Sequence, residues 1–134
     1  MDFTNVKSPD ADEIKRLAEE AWAGLPEAFR APCQAMAIIV DDWPSDDVLA
    51  EFEAEDDPAS IMGLYQGIAL TEQSAGDVLE GPHLVFLYRM PILAYWAEHD
   101  ETLGAIVRHV LIHEIGHHFG FSDEDMEAIE EAEV

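Results

Sequence analysis

The sequence predicts an α+β domain: a small sheet packed against an N-terminal helix and a second helix near the C-terminus. Three observations predict it. Ile14, Leu17, Ala18, Ala21 and Trp22 recur at helical spacing. Three short runs in the middle of the chain are rich in β-branched and aromatic residues. From about Asp100 a long segment of helical character runs to Gly120. The order helix, strands, helices segregates the two kinds of element instead of alternating them, which is the α+β pattern. A chain of 134 residues holds one hydrophobic core, so one domain over residues 1–134 is expected.

The first helix starts at "SPD", where Ser8, Pro9 and Asp10 are favourable helix-start residues, and ends near Gly24 and Pro26. "AMAIIVDDWP" reads as a buried strand closed by Asp41, Asp42 and Pro44. The acidic stretch "SDDVLAEFEAEDDPAS" reads as a loop with a short helical turn. "IMGLYQGIAL" is a second strand, with Gly63 and Gly67 marking places of close approach. "HLVFLYRM" is a third strand, stopped by Pro91. Near the C-terminus, Ser122 and Asp125 stand in capping-box spacing at the head of a short last helix.

Composition narrows the function. Hydrophobic residues make up 49% of the chain, which suits a folded globule. Six Lys and Arg face 30 Asp and Glu, a formal charge of −24. Such a field repels phosphate backbones and anionic membranes, so neither nucleic acid nor a membrane is an expected partner. The single cysteine, Cys33, forms no intrachain disulfide. The first twenty residues lack the apolar core of a secretory signal, so a cytoplasmic location is expected.

The chemistry is concentrated in "HVLIHEIGHHFGFSDEDM", residues 109 to 126. His113 and His117 are four apart, which on a helix sets them about 40° apart around the axis and about 6 Å along it. Two imidazoles so placed suit zinc, and Glu114 between them is placed to act on a water as a base. A catalytic zinc takes three protein ligands and keeps one position open. Asp123 would lie about 15 Å from His113 if the helix continued. Gly120 offers the left-handed backbone that ends helices, and a reversal there brings Asp123 back. Asp123 also fits a plain role as a carboxylate at a helix start. His118 points about 100° away from His117 and His109 lies a further turn back, so neither is expected to be a ligand. His83 and His99 read as ordinary polar residues. Gly116, costly inside a helix, implies close packing of the helix backbone, expected against the sheet.

"HEIGHHFGFSD" resembles the extended motif of zincin metallopeptidases, HExxHxxGxx(H/D). With "GLYQG" and "LYRMPIL", it resembles most the small bacterial zincin-like metallopeptidases, or minimal zincins, over residues 63 to 126. The resemblance implies a compact zincin-like fold with a small mixed sheet, packed against the N-terminal helix and the HExxH-bearing helix. It implies one zinc ion on His113, His117 and Asp123, with Glu114 as the catalytic glutamate. Eleven residues follow Asp123, too few for the separate methionine turn of larger metzincins, and Met126 is too close to fill that part.

The expected reaction is peptide-bond hydrolysis through a zinc-activated water, with Glu114 as general base and a peptide or protein as substrate. Tyr65, Tyr88, His83 and Arg89 are the candidates for the second oxyanion donor. By analogy with zincins, "GLYQGIAL" is the strand along which a peptide would lie. The alternative is a non-catalytic metal-bound scaffold or interaction module. An intact motif glutamate speaks against it, since a structural site needs no base.

Overall fold

A computed structural model describes residues 4–31, 36–67 and 83–132. Helix α1 (Ala11–Gly24) opens on a reciprocal capping box. Asp10 accepts from the Glu13 amide, and Glu13 accepts from the Asp10 amide. A single turn, α2 (Glu27–Arg30), follows and buries Phe29. Strand β1 (Met36–Asp41), helix α3 (Asp46–Glu51) and a 3-10 turn at Pro58–Ser60 come next. Strands β2 (Gly63–Gly67) and β3 (His83–Tyr88) complete the sheet. Helices α4 (Arg89–Glu98), α5 (Leu103–His118) and α6 (Asp123–Ala132) close the chain.

The sheet is mixed, in the order β1-β3-β2. β1 lies parallel to β3 and β2 antiparallel to it, so among the described residues β2 is an edge strand. His83, Val85 and Leu87 alternate on the buried face of β3, as a strand's twofold period requires. Helix α5 packs against β2 and β3, and α1 packs against both α5 and β1. Ile14 and Ala18 of α1 meet Val107, Leu111 and Ile115 of α5 in one core, all fully buried. Each of the larger aliphatic side chains among them, Ile14, Val107, Leu111 and Ile115, contributes on the order of 1.5–3 kcal/mol by leaving water.

Three expectations about the elements need correction. The third strand stops at Tyr88, and Pro91 lies in the first turn of α4, where a proline's missing N–H breaks no intrahelical bond. The helix expected from about Asp100 starts at Leu103, with Thr102 Oγ1 accepting from the Ala105 amide at its head, and a separate helix, α4, precedes it. Gly116 packs against α6, not the sheet. A Cβ there would lie 2.3 Å from Met126 Sδ and 3.5 Å from Phe29 Cε2.

Candidate metal centre

Helix α5 ends as its sequence requires. Gly120 has φ +82°, in the left-handed region, and the Phe121 amide donates to the Gly116 carbonyl at 2.9 Å. The reversal delivers Ser122, whose hydroxyl accepts from the Asp125 amide while Asp125 accepts from the Ser122 amide. This capping box sets Asp123 as the first residue of α6. Met126, fully buried beneath Gly116, then locks α6 onto α5.

On the other side of α5 lies edge strand β2. A Cβ at Gly63 would meet Val110 Cγ1 at 2.6 Å and Glu114 Cγ at 3.3 Å. Glycine is therefore what lets the strand backbone rest on the helix, directly beside Glu114. The result is a cleft of about 350 Å³ whose walls include Phe52, Ile61, Met62 and Gly63 and whose α5 side carries His109, Val110, His113 and Glu114. A second cavity, between α5 and α6, is lined by His109, His113, Asp123, Glu127, Glu130 and Glu131. His113 borders both, so it joins the apolar cleft to the acidic one.

The four motif residues are placed as follows. His113 and Glu114 share the first cleft, and His113 and Asp123 share the second. His117 stands one turn beyond His113 on α5, but its side chain lies outside the described residues. Asp123 is exposed in the first turn of α6, so it fills the helix-start role and faces the cavity as well.

The family model of zincin-like metallopeptidases matches residues 33–132. The chain belongs to that family. The match takes in the three strands, the motif helix and all four motif residues of this zincin-like metallopeptidase. No curated protein matches the chain significantly.

The donor set of this family member fits a divalent cation. His109, His113 and Glu130 each offer a ligand atom, and these atoms lie within 4.8 Å of one another. Two imidazoles and a carboxylate are the chemistry zinc takes. Glu130 Oε1 accepts from His113 Nε2 at 2.7 Å and Oε2 accepts from His109 Nδ1 at 2.9 Å. Burial pushes the Glu130 carboxyl up, but the hydrogen bonds from the two histidines outweigh it and hold it below the ordinary glutamate value.

Sequence reasoning missed Glu130 altogether and set His109 aside as a turn too far. The turn of the chain at Gly120 brings α6 back along α5, so its seventh residue past Asp123 meets the earlier histidines. The only sequence signal was that Asp123, Glu127 and Glu130 recur on one face of α6.

The oxyanion candidates separate. Arg89 donates to the Pro9 carbonyl, Ser8 Oγ and Asp42, tying the N-terminal segment to the sheet. Tyr88 is 2% exposed, and burial, then the charges of Asp41 and Glu114, push its phenol upward. The Arg89 guanidinium is thus engaged in structural contacts. Tyr65 and His83 hydrogen-bond each other on the sheet face toward α5, where the Tyr65 ring lies 3.8 Å from that of His118. Burial, followed by the charge of His83, lowers the His118 pKa, in keeping with a ring packed against tyrosine. His83 is thus a polar residue that is buried and partnered.

Proposed function

We propose that this metallopeptidase hydrolyses peptide bonds, with His113, His117 and Asp123 holding one zinc ion and Glu114 as general base. The observation that carries the reading is the position of Glu114. Glu114 lines an open, largely apolar cleft next to His113, and its Cγ lies against Gly63 of edge strand β2. A purely structural metal site has no use for a carboxylate so placed.

A bound zinc ion lowers the pKa of a water toward ~7 and polarises a carbonyl oxygen. The chain's own residues do the rest. Glu114 takes a proton from the attacking water at its carboxylate and returns it to the nitrogen of the leaving amine. β2, paired on one side only among the described residues, offers backbone groups to an extended peptide, which fixes the scissile bond relative to Glu114. Phe52, Ile61, Met62 and Val110 wall the cleft and favour apolar side chains of the substrate. The strong negative charge disfavours nucleic acid as a partner. Among the described residues no helix is long and apolar enough to cross a membrane.

Glu114→Gln tests the reading. The amide keeps the shape and loses the base, so peptide cleavage should fall by about 10²–10⁴-fold while zinc stoichiometry is unchanged. The measurement pairs elemental analysis with a peptide-library digest, with and without chelator. A wild-type chain that carries zinc and cleaves no peptide would instead support the scaffold.

A further inference from the structure

From Gly120 onward α6 runs back along α5, and the two helices carry matching series of ligand-type residues. His109, His113 and His117 stand at successive turns of α5, and Asp123, Glu127 and Glu130 at successive turns of α6. The motif draws on the end of this ladder nearest the reversal. The far end is complete as well. The His109 and His113 rings lie 4.1 Å apart, and one Glu130 carboxylate spans both, at 2.9 and 2.7 Å.

This far rung is held in place from outside. The Arg108 guanidinium donates to the Ile129 and Glu130 carbonyls at 2.8 and 3.1 Å. It caps the last turn of α6 where a cation is favoured, and so fixes the backbone that carries Glu130. The rung is also accessible: the His109 side chain is 51% exposed, and Glu127 and Glu131 on the cavity wall add to the attraction for a cation.

We propose that His109, His113 and Glu130 form a second divalent-cation site, one helical turn from the motif set and sharing His113 with it. Two imidazoles and a carboxylate make a zinc-type ligand set, with remaining positions for water. Since one imidazole nitrogen holds one ion, the two sets compete for His113 Nε2. The site rests on the α5–α6 geometry and not on peptide hydrolysis.

The test disables the motif set and reads zinc binding alone by calorimetry, with no activity assay. In His117→Ala one zinc should still bind. Adding Glu130→Gln or His109→Ala should weaken that binding at least tenfold, whereas adding Asp123→Ala should change it less than threefold. Circular dichroism shows that each variant is folded. If His117→Ala does not fold, Asp123→Ala, at an exposed position, takes its place as the background for the Glu130 and His109 changes. Zinc binding that vanishes in the background variant, or that ignores Glu130 and His109, overturns the second site. Neither result touches the assignment of Glu114, which is tested by cleavage.

Discussion

Gly116 shows how one missing side chain shapes this protein. It lies between the two motif histidines, and the space a Cβ would take is filled by Met126 Sδ and Cγ. In Gly116→Leu the added atoms must displace a sulfur that is itself fully buried. Overpacking of that kind costs about 1–3 kcal/mol, and the urea midpoint should fall accordingly. Zinc affinity should fall with it, because α6 and Asp123 are pushed off α5. Glu130 carries a pH effect of known sign. Its two histidine partners hold its folded pKa below that of an ordinary glutamate, so in the metal-free chain it adds stability above the ordinary glutamate pKa and loses it as the pH falls through the folded pKa. The stability gap between wild type and Glu130→Gln should therefore be open at neutral pH and close under acid, as read by denaturant titration across pH. Sequence alone made His113, Glu114 and His117 legible as candidates, because their roles follow from helical phase. It could not single out Glu130. A glutamate among the many of "SDEDMEAIEEAEV" carries no mark until the helix is folded back onto its partner.

At the scale of elements, the α5–Gly120–α6 hairpin is the unit that builds the site. Its pieces were readable where the signal is local: glycine with a positive φ, and the Ser122–Asp125 box. What holds the hairpin shut was not readable, because Met126 is one apolar residue in an acidic helix and its partner is a glycine. Met126→Ala leaves a cavity under Gly116 and should cost about 2–5 kcal/mol. If α6 is held by this contact, zinc affinity should drop in parallel, and a thermal melt beside a zinc titration separates the two losses. The start of α5 was read a few residues early, at about Asp100 instead of Leu103. His99 to Thr102 lie between two helix-forming stretches, and the new start is marked only by the Thr102 cap. Pro91 misled in the other direction: a proline that could end a strand instead lies in the first turn of a helix.

For the whole molecule, the fold class was legible and the sheet order was not. Strand order β1-β3-β2 depends on pairings across long separations, such as Ile38 with Val85 and Tyr65 with Val85, which no local pattern specifies. That order makes β2 the edge strand and brings Gly63 onto Glu114. The other molecular property, a charge of −24, gives cations two separate ways to stabilise the chain. Monovalent salt screens self-repulsion without needing any particular residue. Zinc acts by ligation, and binding only the folded state at 100 times its Kd adds about 2.7 kcal/mol. For a domain of this size that corresponds to a rise in Tm of roughly 10 °C. His113→Ala removes the ligand common to both rungs of the α5–α6 ladder. It should therefore abolish the zinc-induced rise and keep the sodium chloride effect intact. Calorimetric melts of wild type and His113→Ala, each with chelator, zinc and salt, measure the two contributions separately. An equal response of both chains to zinc would mean that the metal acts on the general acidic surface and not through the helix pair.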